Sequence, residues 1–286
     1  MENIQSIANI EKIADTLKNN SEDGFFFVPW IGKNYDQGLN GSKVLVVGAS
    51  HYCNHSNVCT HPKSNNECSN FYDNKKCILG CEYFQECTIG KTKDYNDKCA
   101  WMKKKEYNKS YENLCNAICN NSKCNSIFEK LNSTTLGEIC NFLDTEWEDN
   151  KSFKTFSKFC KEYFLLDNDK EYRNKLWSRI AFINYSQNFQ PKSTGNSFQE
   201  GDLKSFKKYL ELLTPNVVIV WGCALGEELE KQRFKKEATF NGYNWTNEGI
   251  QFVNSYHPSY SGFKDNGSLE EALDKAFQEV SKVTNG

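Results

Sequence analysis

The chain has 286 residues and a formal net charge of −2, from 35 Lys and Arg against 37 Asp and Glu. Its hydrophobic content of 38% and aromatic content of 14% supply enough apolar surface for a packed core, which excludes a disordered chain. Near-neutral charge excludes a broadly basic nucleic-acid coat while leaving room for a local basic cleft. No apolar run approaches the roughly 18 residues of a membrane span, and the first residues lack a basic-then-apolar leader. The expectation is therefore a cytoplasmic, monomeric protein with no membrane partner. The only arginines are Arg173, Arg179 and Arg233, so any phosphate contacts must rest on lysines and backbone amides.

In chain order, Ile4, Ile7, Ile10, Ile13 and Leu17 recur at helical spacing and predict an amphipathic helix over 4–17. The run 43–48, Lys-Val-Leu-Val-Val-Gly, is continuous, apolar and β-branched, and predicts a buried parallel strand. Residues 53–100 lack periodicity and read as a Cys-rich insertion. Residues 105–170 read as a helical insertion, with two or three helices between about 108 and 165. A second strand is predicted over 179–184, and a helix over 199–213 stopped by Thr214 and Pro215. The run 217–221, Val-Val-Ile-Val-Trp, predicts a third strand, followed by a helix over 224–234. A fourth strand is predicted over 250–254 and a closing helix over 268–283. Alternating apolar strands and helices predict one α/β domain spanning 1–286, a three-layer sandwich around a four-stranded, mostly parallel sheet.

The chain holds 13 cysteines, seven of them between Cys53 and Cys99. The total is odd, the chain is long and no leader is evident, so metal binding or free thiols outrank a disulfide framework. The preferred ligands are Cys53, Cys59, Cys81 and Cys87, with zinc ahead of an iron–sulfur cluster and no organic cofactor. The cysteines outside this cluster read as core or surface fillers. Lys103, Lys104 and Lys105 offer a DNA-backbone contact, or simply a solvated face.

Ligands of parallel sheets bind beyond the carboxyl ends of the strands. The segments there carry Gly48, Ala49, Ser50, His51 and Tyr52; Asn184; Gly222 and Cys223; and His257, Pro258, Ser259, Tyr260 and Ser261. Taken together, the loop after the first strand, Asn184 closing the second, the run 216–222 ending in Trp-Gly, and His257-Pro-Ser259 resemble the uracil-DNA glycosylase superfamily. The resemblance covers residues 43–52 and 178–263 in the right order and leaves 53–170 uncovered. It implies that His257 stabilises a departing base and that Asn184 reads the base edge. Gly48, Ala49 and Tyr52 would form the base pocket, while Ser259 and Ser261 would hold a flanking phosphate. The implied partner is DNA, single- or double-stranded.

Two residues depart from the family pattern. The water-activating Asp of the most active relatives is Ser50 here, and the Pro that follows it is His51. Ser is a poor base and brings no charge to a developing sugar cation. Some relatives carry an iron–sulfur cluster, but their cysteines begin before the first loop, whereas none here precedes Cys53. Three accounts stay open: Ser50 or His51 positions a water; the pocket takes a bulkier or labile modified base; or hydrolysis is lost and a nucleic-acid-binding module remains. The expected activity is a DNA glycosylase, with the silent module as the alternative. A general dinucleotide-binding protein is disfavoured because 48–52 lacks the Gly-x-Gly-x-x-Gly pattern.

Overall fold

The computed structural model describes residues 27, 29–53, 134–143, 150–166, 171–187, 189–191, 198, 200–232, 238–239, 244–263 and 267–284. The helix expected over 4–17, Lys103 to Lys105 and the cysteine-rich stretch beyond Cys53 lie outside them, as do the side chains of Tyr52 and Cys53.

Among the described residues the elements run β1 (Trp30–Ile31), β2 (Val44–Gly48), β3 (His51–Cys53), α1 (Thr134–Leu143), α2 (Lys151–Tyr163), α3 (Tyr172–Trp177), β4 (Ile180–Asn184), β5 (Phe189–Pro191), α4 (Glu200–Leu213), β6 (Val217–Trp221), α5 (Cys223–Lys231), β7 (Ala238–Thr239), β8 (Asn244–Asn247), β9 (Ile250–Ser255) and α6 (Gly267–Thr284). The main sheet has seven strands in the order β1-β4-β2-β6-β9-β8-β7, and β3 and β5 form a separate parallel pair. The four-stranded expectation is thus corrected. The four strands it named are the parallel centre, β4-β2-β6-β9. Antiparallel β1 extends one side, and antiparallel β8 and β7 extend the other, making the sheet mixed.

The sequence explains the centre directly. Every residue of β2, β4 and β6 is buried, as expected of strands covered on both faces. Register then sorts the side chains. Val46 is level with Phe182 and Ile219, so Phe182, Ile219 and Trp221 share one face. Onto it α2 packs Phe153, with ring centroids 5.5 Å from Phe182, and Phe156, 5.0 Å from Trp221. α6 lies on the same side: Asn244, level with Val253, donates its amide to the Ala272 carbonyl at 2.7 Å. The opposite face carries Phe252, which meets Phe206 of α4 at 6.5 Å. It also carries Asn254, whose amide lies against Gly226 of α5. Helices therefore cover both faces of the sheet.

The described helices of the segment read as an insertion, α1 and α2, share this core, as does α3 just after it. In α1, Thr135, Ile139, Phe142 and Leu143 are buried at helical spacing. In α2, Asn150 caps the first turn by accepting from the Phe153 N–H at 3.2 Å. Trp177 of α3 sits among Phe142, Phe153 and Phe156 and donates its indole N–H to Ser157 Oγ at 2.9 Å. Burying large aromatics contributes about 1.5–3 kcal/mol each or more, so α1, α2 and α3 are structural members of the domain.

Candidate functional site

β4 lies on one side of β2 and β6 on the other, so the chain reverses its direction of winding at β2. The crevice beyond the carboxyl ends of β2 and β6 is the position where such sheets bind ligands. A cavity of about 770 Å³ occupies it. One wall comes from the strand ends: Gly48 to His51 after β2, Asn184 closing β4, Gly222 to Leu225 after β6, and Tyr256, His257, Ser259 and Tyr260 after β9. The other wall is helical: Glu138 of α1, with Asn150, Ser152 and Phe153 at the start of α2. Phe182 and Trp221 line it from the sheet.

Parallel register places Asn184 level with Gly48. Its side chain lies so close over residue 48 that a Cβ there would collide with Asn184 Oδ1, which is why that strand ends in glycine. The turn after β4 is stitched to the loop after β2 by the Tyr185 N–H on the Gly48 carbonyl at 2.8 Å and the Ser186 N–H on the Ala49 carbonyl at 2.9 Å. Gln187 Nε2 donates to the Asn184 carbonyl at 2.8 Å. The backbone of Asn184 is thereby fixed, and its nearly buried amide borders the cavity with a donor and an acceptor to offer.

His257 is oriented by its own loop. The Ser259 N–H donates to Nδ1 at 3.2 Å, and Ser259 Oγ lies 2.7 Å from the same nitrogen. A backbone N–H can only donate, so Nδ1 is the acceptor and the neutral ring carries its proton on Nε2. Burial pushes the imidazole pKa down, because desolvation disfavours the charged form. The result is a neutral Nε2–H donor in the cavity wall. Gly222, at φ +96, takes a left-handed conformation that frees the chain to turn from β6 into α5 beside His257. The first turn of α5 lines the cavity without a side-chain cap, leaving its amide end electropositive.

His51 is held differently. It is buried, with Nε2 2.7 Å from Thr135 Oγ1 and Nδ1 3.3 Å from Glu138 Oε2, both on α1. Phe27 packs on its ring with centroids 4.6 Å apart.

Ser50, His51, Asn184 and His257, named from the sequence, therefore line one cavity with Gly48, Ala49 and Ser259. Ser261 is exposed in a short 3₁₀ turn and is not among the lining residues. Tyr52 is placed only by its backbone in β3. Of the proposed metal ligands, Cys53 is placed by backbone alone, and Cys59, Cys81 and Cys87 lie outside the described residues. Among the described residues no group of three or more His, Cys, Asp and Glu side chains is arranged to hold a metal ion. Cys160 is a buried core thiol, whereas Cys223, read from the sequence as a filler, is exposed at the cavity. The sequence reading also missed Glu138, Asn150, Ser152, Phe153 and Tyr256. Asn150 ahead of the Phe153–Phe156–Cys160 stripe signals a helix start, but nothing local says that this start meets the strand ends.

Compared with protein-family models, with curated proteins and with solved structures, the chain matches none. Among the described residues no helix is long and apolar enough to cross a membrane.

Proposed function

We propose that the cavity is the active site of a DNA glycosylase, built on a three-layer α/β sandwich of the uracil-DNA glycosylase type, that hydrolyses the bond between a flipped-out base and its sugar. The observation that carries this reading is the meeting of Ser50, Asn184 and His257, from loops far apart in sequence, in one cavity at the strand ends, with His257 held as a neutral donor. An enzyme acting on a base must lift it from the stack into such a pocket and read its edge. Asn184 offers that edge a donor and an acceptor. As the glycosidic bond breaks, its electron pair stays on the base. The His257 Nε2–H then meets the oxygen where charge develops, a preorganised donor that needs no rearrangement. Phe153, Phe182 and Trp221 give the pocket an aromatic lining, suited to a planar base.

A second reading is favoured by one residue. Ser50 stands where a carboxylate would activate water, as in a binding module that has lost hydrolysis. Both readings are tested by incubating the purified chain with oligonucleotides carrying uracil, mismatched or modified bases, and measuring abasic-site formation alongside affinity. Release of at least one base, lost in His257→Ala, supports the glycosylase. Tight binding with no abasic sites on any substrate overturns it in favour of the module.

A further inference from the structure

Among the described residues lining the cavity, Glu138 is the one Asp or Glu. It comes from α1, far in sequence from the strand-end loops, and yet it is tied to the residue next to Ser50. His51 Nδ1 lies 3.3 Å from Glu138 Oε2, and His51 Nε2 lies 2.7 Å from Thr135 Oγ1 one turn earlier on the same helix. When Nδ1–H donates to the carboxylate, Nε2 accepts from the Thr135 hydroxyl, so a single neutral tautomer satisfies both contacts. The His51 side chain is only 3% exposed, while that of Glu138 is 37% exposed. The imidazole is thus a fixed strut, and the carboxyl group it grips reaches solvent at the cavity wall. A surface glutamate making an ordinary ion pair would need neither a buried histidine pinned from both sides nor a place in the lining of the cavity.

We infer that Glu138 supplies the carboxylate that position 50 lacks, taking the proton of the attacking water and facing the sugar cation, with His51 as the positioning residue that holds it; this rests on the glycosylase reading. In the step, the water oxygen bonds to C1′ of the sugar as the bond from C1′ to the base nitrogen breaks. The electron pair of that bond leaves with the base, whose anion is met by the His257 Nε2–H, and the proton lost by the water passes to a Glu138 oxygen. The products are the free base, protonated by solvent, and an abasic sugar. No oxidant, reductant or other co-reactant is needed.

The test is single-turnover base release on whichever oligonucleotide the wild type cleaves. Affinity is measured in parallel on the same sequence with a 2′-fluoro sugar, which resists cleavage. Glu138→Gln keeps the shape and removes the base; release should fall by about 10²–10³-fold with affinity within about twofold of wild type. Glu138→Asp should retain more rate than Glu138→Gln, and added formate should restore part of the rate of Glu138→Ala. A residue with only a structural role would show neither effect. Circular dichroism melts confirm that each variant is folded at the assay temperature, and if Glu138→Gln is not, the comparison of Glu138→Asp with formate-treated Glu138→Ala decides. Wild-type rates in Glu138→Gln, or equal rates in the Asp and Gln variants, overturn the inference and leave the glycosylase reading standing. A wild type that releases no base from any substrate overturns both.

Discussion

The strand-end wall of the cavity carries two histidines, one after β2 and one after β9, and they are held in different ways. In the strand-end wall, His257 is bound through Nδ1 to its own loop, which leaves Nε2 as a donor. His51, in the same wall, spends both nitrogens on Thr135 and Glu138 of α1 and has none left for chemistry of its own. The same side chain thus leaves a donor open in one place and fastens the strand ends to α1 in the other. The difference comes from partners: a local backbone N–H fixes a tautomer and frees the far nitrogen, while two contacts to one helix use the ring up. A histidine's presence in a pocket is therefore a weaker guide to its role than the number of its nitrogens already engaged.

His257→Ala should cost about 10²–10³-fold in single-turnover base release, as for loss of one preorganised donor, while His51→Ala should cost less than that; equal losses in abasic-site assays would erase the distinction. A smaller effect tests whether positions 50 and 138 are interchangeable. Ser50→Asp placed in a Glu138→Gln background should recover part of the lost release, because a carboxylate is restored within reach of the water. No recovery would mean that position 50 does not face the sugar. Smaller again, Asn150→Ala removes the cap of α2 and should cost about 1 kcal/mol, seen as a fall of a few degrees in the thermal midpoint.

The smallest effect is in pH. Burial lowers the His257 pKa from its ordinary 6.5, so the unfolded chain takes up the proton more readily than the folded one. The stability tied to the neutral ring is fully present above about 6.5 and is lost as pH falls through the lowered value. The thermal midpoint of the wild type should decline over that interval more than that of His257→Gln.

What the sequence made legible follows the same division. The apolar runs at 44–48, 180–184 and 217–221 announce themselves because strands buried on both faces need no alternation, and Asn184 and His257 are found by where those runs stop. The edge strands escape notice for the converse reason. β1 and β7 have two residues each, and β8 reads Asn-Trp-Thr-Asn, a composition closer to a turn than to a strand. Glu138 is illegible for another reason. It lies on the flank of α1, three residues after buried Thr135 and one before buried Ile139. Its helical periodicity says that it borders the core but cannot say that the core at that point opens into a cavity. That information resides in the crossing of α1 and α2 over the strand ends, and tertiary packing alone supplies it.

The aromatic floor of the cavity sets a rule for how this pocket can change. Phe153 lines the cavity and also meets Phe142, Trp177, Phe182 and Trp221, so one ring serves as pocket surface and as the bolt joining α2 to the sheet. Trimming it to admit a larger ligand would loosen the fold, at the roughly 3–5 kcal/mol typical of a buried Phe cut to Ala. The rim is under no such constraint. Tyr260 is 57% exposed, and its ring meets that of Tyr256 at 5.4 Å; Tyr256 packs against the core, so Tyr260 is the residue that can be exchanged without touching it. New ligand preferences in this architecture are therefore most accessible by redecorating the mouth of the pocket, while its depth stays tied to the integrity of the domain.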